Sequence, residues 1–356
     1  MILNALLTVA LAQGPAPALD FSGVRLFWRV HDLLVLDREP PPELWDSLFA
    51  TPGYAALEAR ERRRARITRA IQLAFRPSEQ PAADSVVQAG GWVAGIIPHL
   101  RKIPGHRRQL DSIVARWEAG PPWAAAALAS ARQYLPASAW QGLATPSVSF
   151  LFFAPDGRGY PALTVADLLH TLTTSDPERF FAHEFHHFYR HKLSREGSAP
   201  AGPFSDLVDL LVNTEFEGVA DQLDKRWVPG ASDQELLRLF PDSSRRAYYR
   251  NYRAEFAAAG RWLAAVDSVL VLAPEPGDTV IARIRRLRDA LPDGGRVLGA
   301  YMAATIERLG GRAVLVSVVG NSGAFWAAYQ EAATACAPAC PMLSLAAMQV
   351  LRRLLK

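Results

Sequence analysis

The 356-residue sequence predicts an α+β fold, mostly helical, with one small sheet. Two observations lead there: apolar residues recur at helical spacing over most of the chain, and a single stretch near its middle reads as short strands bounded by turn residues. A chain of this length buries a large core, and residues 19–356 are expected to form a single unit in three parts. Residues 19–145 read as several helices broken by Pro40 to Pro42, Pro77, Pro81, Pro98 and Pro121 to Pro122. Residues 146–230 hold the strands and two long helices, and 231–356 return to helices with a short apolar stretch at Ala313 to Val319.

Met1 to Ala12 is short and apolar, and Ala10, Leu11 and Ala12 give an AxA cleavage pattern, so residues 1–12 read as a signal peptide of an exported bacterial protein, periplasmic or extracellular. No Lys or Arg precedes the apolar run, which departs from the usual signal and leaves a membrane anchor as the alternative. No later run reaches about 18 uninterrupted apolar residues, so no span is expected past the start.

The net charge of +4 is too modest to point to a nucleic-acid partner. The basic run from Glu58 to Arg69 is interleaved with Glu58 and Glu61, as on a solvated helix face. Cys336 and Cys340, the only cysteines, could close a small disulfide loop around Pro338 but not on a regular helix, and the sequence leaves this open.

Ser147 to Phe153, a turn at Pro155 to Gly159, and Ala162 to Leu168 read as a strand, a turn and a second strand, that is, a hairpin. Its edge is a candidate platform for an extended peptide. A helix follows, announced by Thr174, Ser175, Asp176 and Pro177, with Asp176 at the N-cap, and runs to about Leu193.

That helix carries His183, Glu184, Phe185, His186 and His187, the HExxH pattern. On a helix the two outer histidines lie roughly 40° apart on one face, while Phe181, Phe185 and Phe188 cluster on the opposite side as a core stripe. Two imidazoles one turn apart beside a carboxylate are the zinc-hydrolase signature. His186 sits off this face and reads as a local hydrogen-bonder, and His191 as solvated or outside the ligand set.

The next helix, roughly Ser205 to Trp227, supplies the third ligand. Val212, Phe216, Val219 and Leu223 form its core stripe. Glu217 and Asp221 share another face, whereas Glu215 points about 160° away from Glu217. Glu217 is therefore the expected ligand, and Asp221 the acid that accepts a ring N–H of a ligating histidine and fixes its tautomer. Gly218 is either a mild helix cost or room beside the metal.

HExxH followed by ExxAD resembles the gluzincin zinc metallopeptidases. The segments DFSGVRLFWRVHDLL, ELWDSLFATPGY and GAYMAATIERLGG further resemble a group of bacterial sequences regarded as zinc-dependent peptidases. This resemblance implies a zincin-like core with helical flanking subdomains, a Zn2+ cofactor and a peptide or protein substrate. The metzincin pattern is excluded, because it needs Gly and His where this chain has Arg190 and Leu193.

Two neutral imidazoles and one carboxylate leave a fourth position open, as in catalytic zinc sites. Glu184 is the expected general base, and the oxyanion needs one more donor. Tyr248, Tyr249, Tyr252, Tyr301 and Tyr329 compete for that role, and Tyr301 is favoured for its small neighbours near a helix start. Peptide-bond hydrolysis is the expected function. An exported binding protein with a structural or inactive zinc site, and a zinc hydrolase of a non-peptide amide, are the alternatives.

Overall fold

In the computed structural model, residues 16–174, 176–193, 202, 204–274 and 277–356 are described. The proposed signal peptide lies outside them. The chain forms two compact units: residues 1–126, 144–157 and 162–172 make the first, and residues 127–143, 158–161 and 173–356 the second.

The first unit contains helices α1 (Ser22–Leu34), α2 (Pro42–Phe49), α3 (Pro52–Glu61), α4 (Arg64–Phe75), α5 (Gln80–Ala89), α6 (Trp92–Lys102) and α7 (Arg107–Glu118). Its strands are β1 (Leu19–Asp20), β2 (Val148–Leu151) and β4 (Thr164–Asp167), with β3 (Gly157–Gly159) completing a sheet of order β1-β2-β4-β3. Phe27 of α1 packs on Phe152 with ring centroids 4.7 Å apart, and Phe21 stacks on Phe150 at 4.8 Å. Asp167, fully buried at the end of β4, lies 3.0 Å from His99 Nε2 and accepts the backbone N–H groups of Phe153 and His170.

The expected hairpin is corrected here. β2 and β4 pair in parallel, with Val148 opposite Thr164 and Leu151 opposite Asp167. Both strands are buried along their whole length, which is how a continuous apolar run such as Phe150 to Phe153 behaves in a parallel sheet covered on both faces. Pro155 to Gly159 thus lies within the connection between these parallel strands and is not the turn of a hairpin between them, and its last three residues form β3. β1, also parallel to β2, lies in a region expected to be helical.

Helices α8 (Ala124–Arg132) and α9 (Leu168–Thr173) each begin in the first unit and end in the second. The second unit holds α10 (Pro177–Leu193), α11 (Ser205–Asp224), α12 (Asp233–Leu239), α13 (Ser243–Ala257), α14 (Ala259–Leu272), α15 (Asp278–Ala290), α16 (Arg296–Gly310), α17 (Arg312–Ser317), α18 (Ser322–Ala335) and α19 (Leu345–Leu354). Asp176 caps α10 as expected, accepting the backbone N–H of Arg179 at 3.1 Å, a contact typically worth about 1 kcal/mol. Cys336 and Cys340 are joined in a disulfide just after α18. Among the described residues no helix is long and apolar enough to cross a membrane.

α11 packs on α10 on one side and on α16 on the other. Its contact with α16 is made backbone to backbone: a Cβ on Gly218 would stand 2.2 Å from the carbonyl carbon of Gly299, and one on Gly299 would stand 1.8 Å from the carbonyl oxygen of Thr214. Gly218 is therefore required by close helix packing, a role that neither of its two readings had named. The expected core stripe of α11 is only half right. Val219 is fully buried, but Val212, Phe216 and Leu223 are half-buried, and the deepest positions include Thr214, Glu215, Asp221 and Gln222. Apolar periodicity could not show this, because α11 turns polar groups inward, where Thr214, Glu215 and Asp221 find hydrogen-bond partners.

Candidate metal centre

Every residue of α10 from Phe181 to Arg190 is buried, so HExxH lies inside the second unit and not on its surface. Phe181 and Phe185 pack as expected, both fully buried. Gly159 lies against the other side of the motif, where a Cβ would meet the carbonyl oxygen of Glu184 at 2.3 Å and the Cβ of His187 at 2.5 Å. Only glycine admits so close an approach.

The Nε2 atoms of His183 and His187 are 2.9 Å apart. Glu217 Oε2, reaching in from α11, stands 3.5 Å from the first and 3.6 Å from the second. The three expected ligands thus converge on one point. Glu184, beside His183, is buried.

Glu215 is turned elsewhere, as its position on α11 predicts. Its fully buried carboxylate accepts from Arg190 Nε at 3.1 Å, from the Gly320 N–H at 3.0 Å and from Ser322 Oγ at 3.3 Å. His186 also behaves as expected, its Nε2 lying 3.2 Å from the carbonyl oxygen of Tyr134. His191 contacts the ring of Phe216 at 5.2 Å.

Behind the ligands is a set of charges that the sequence reading only partly found. Asp221 stands 3.5 Å from His183 Nδ1, but Asp224, one turn further on, is closer at 3.0 Å. Asp221 accepts instead from Lys225 Nζ at 2.9 Å and from the Tyr252 hydroxyl at 2.9 Å. Lys225 also donates to Asp224 at 2.6 Å, and Arg296 Nε donates to Glu217 at 2.7 Å. Asp224, Lys225 and Arg296 were missed, and Tyr252 was weighed only as an oxyanion donor. Asp224 and Lys225 had a local signal, since Asp224 follows Glu217 by seven residues and Lys225 follows Asp221 by four, so each falls near that acid on the helix surface.

These partners set the charge states. Burial opposes protonation of His183, but the Asp224 carboxylate outweighs it and lifts the imidazole to about 10. Burial drives His187 down to about 3, with Glu217 offsetting only part of the effect. Burial would raise Glu217, yet Arg296 and then His187 hold it well below the ordinary carboxylate value. Asp221 is raised by burial despite Lys225, and Lys225 is held protonated against burial by Asp221 and Asp224.

The ring of Tyr301 meets Phe256 at 5.4 Å and Tyr329 at 6.3 Å, and on α16 it lies roughly 140° round from Arg296. Tyr252 belongs to a small core with Val228, Val297 and Ala300.

Residues 45–336 match the DUF5700 family, described as "Putative zinc dependent peptidase". The chain belongs to this family. No curated protein and no solved structure matches the chain. The matched range contains HExxH, Glu217, Asp221, Asp224, Lys225, Tyr252 and Arg296.

The family's zinc dependence can be tested on the donor set. Zinc holds imidazole nitrogen and carboxylate oxygen at about 2.0 to 2.2 Å, which spaces tetrahedral donors roughly 3.3 to 3.6 Å apart. The observed 2.9, 3.5 and 3.6 Å bracket that spacing. His183 also has the carboxylate-backed Nδ1 usual for zinc-binding histidines. His187 departs from it: its Nδ1 is buried with no hydrogen-bond partner among the described residues, and its ring is fixed by stacking on Phe216, centroids 4.1 Å apart and planes 5° off parallel. The residues fit a zinc ion.

Proposed function

We propose that this protein hydrolyses peptide bonds as a gluzincin-type zinc metallopeptidase, with His183, His187 and Glu217 as ligands. The observation that carries the reading is the convergence of two Nε2 atoms and one carboxylate oxygen within 3.6 Å of one another on adjacent helices. When bound, zinc supplies a Lewis acid that polarises a carbonyl and lowers the pKa of water towards about 7.

The chain's own residues do the rest. Glu184, on the same helix as both histidines, takes the proton of the attacking water and passes it to the leaving amine. Asp224 accepts the Nδ1–H of His183, which keeps the Nε2 lone pair on the ligand side. Asp221 supports this from 3.5 Å and is itself held by Lys225 and Tyr252. Arg296 keeps Glu217 ionised.

The oxyanion donor first sought in Tyr301 is assigned here to Tyr248. It stands one turn before Tyr252 on α13, its ring 6.4 Å away, and is 36% exposed. Lys225 and Arg296 both act on its phenol, partly countering the rise that burial imposes.

Metal analysis of the purified protein together with a peptide-library cleavage assay tests the reading. About one zinc per chain and chelator-sensitive cleavage are expected. Absence of zinc after reconstitution would end it.

A further inference from the structure

Arg296 is an unusual choice for its position. It opens α16, where the helix dipole disfavours a cation, so its side chain needs an anion nearby. It finds two. Nε and Nη2 both donate to Glu217 Oε2, and Nε lies 3.8 Å from Asp221 Oδ1, so the guanidinium spans the two acids of the ExxxD motif.

The backbone is shaped to put it there. Asp293, Gly294 and Gly295 have φ of 48°, 63° and 94°, three left-handed residues in a row just before α16. The turn is pinned to α11 by Asn213 Nδ2, which donates to the Gly294 carbonyl at 2.8 Å, and Gly295 lies against Thr214 so closely that a Cβ would stand 2.7 Å from Oγ1. One turn on, Gly299 touches the backbone of Thr214 and Gly218. With α11 and α16 locked at Gly218 and Gly299, the residue before Gly218 is Glu217 and the one about a turn before Gly299 is Arg296.

We propose that Arg296 is a positioning residue that fixes the carboxylate of Glu217 in its metal-binding orientation. This rests on Glu217 being a zinc ligand. Two N–H groups of one planar guanidinium meeting at one carboxylate oxygen fix the position of that oxygen from two directions, which a single point charge would not do. Glu217 Oε2 is thereby held 3.5 and 3.6 Å from the Nε2 atoms of His183 and His187.

The test is zinc affinity by competition with a chromophoric chelator, with the Co2+-substituted absorption spectrum as a second readout. Wild type and Glu217→Ala bracket the scale. Arg296→Gln is expected to bind zinc about 10- to 100-fold more weakly than wild type, as losses of such outer hydrogen bonds do, and to shift the cobalt bands. Arg296→Lys, which keeps the charge but not the fork, should fall between the two. Wild-type affinity and spectrum in Arg296→Gln would overturn the proposal, as would full recovery in Arg296→Lys. Should Arg296→Gln fail to melt cooperatively, Arg296→Lys carries the test alone, and wild-type affinity in it is again the contrary result. If instead Glu217→Ala bound zinc as wild type does, the ligand assignment would fail first.

Discussion

Gly218 and Gly299 bring α11 and α16 together along their backbones, and the contact sets Arg296 of α16 beside Glu217 of α11. A methyl group added to Gly299 would fall 1.8 Å from a carbonyl oxygen, which no side-chain movement can relieve. Gly299→Ala should therefore lower stability by roughly 1 to 3 kcal/mol or more through overpacking. It should also weaken zinc binding by displacing Arg296 from Glu217, and break the bond by which Gln222 of α11 donates to the carbonyl of Ala300 at 3.1 Å. Denaturant melts with matched zinc titrations check both.

The two glutamates of α11 separate stability from metal binding. Glu217→Ala should lose zinc with the fold intact. Glu215→Ala should keep the ligand set but leave Arg190 buried without its carboxylate, a loss of about 3 to 5 kcal/mol for a broken buried pair. Zinc content beside a chemical melt reads the two effects. Zinc loss in Glu215→Ala at temperatures where the protein is still folded would contradict this division.

The part of this arrangement carried by local pattern was legible in the sequence. Asp176 caps α10, the two histidines share its face, and Glu217 and Glu215 diverge by helix periodicity alone. The rest depends on pairings that local pattern does not encode: Arg296 meets Glu217 across 79 positions, and Asp224 meets His183 across 41. The sheet was misread for another reason. Pro155, Asp156, Gly157 and Gly159 are turn residues by type, yet they lie between two parallel strands, with Gly157 and Gly159 in a short strand of their own. Tyr301 was chosen for its neighbours in sequence, while in space its ring faces Phe256 and Tyr329.

Asp224 should prove the stronger support of His183. Asp224→Asn is expected to weaken zinc binding by roughly 10- to 100-fold, and Asp221→Asn by less, because the first is the closer partner of Nδ1. Equal losses in the two variants, measured by chelator competition, would mean that the pair acts through Lys225 and not through His183.

Proton release gives the pH dependence. His183 is raised from 6.5 to about 10, and a histidine ligand must be neutral, so zinc uptake at pH 8 has to displace its proton. His187, already lowered to about 3, adds none. Apparent zinc affinity should rise about tenfold per pH unit from pH 7 towards 10, and calorimetry in buffers of different ionisation enthalpy should report about one proton released by His183 per zinc. A pH-independent affinity over that range would show that Asp224 does not hold His183 charged.

Glu184→Gln tests the central claim most directly. The amide matches the carboxylate in shape but cannot accept a proton from water, so metal binding and chemistry separate. The measurement is peptide-library turnover by wild type and Glu184→Gln at equal zinc content. The account predicts cleavage by the wild type and at least about 100-fold slower cleavage by the variant, with zinc affinity and melting unchanged. Equal rates in the two proteins, or no cleavage by the fully zinc-loaded wild type, would contradict it.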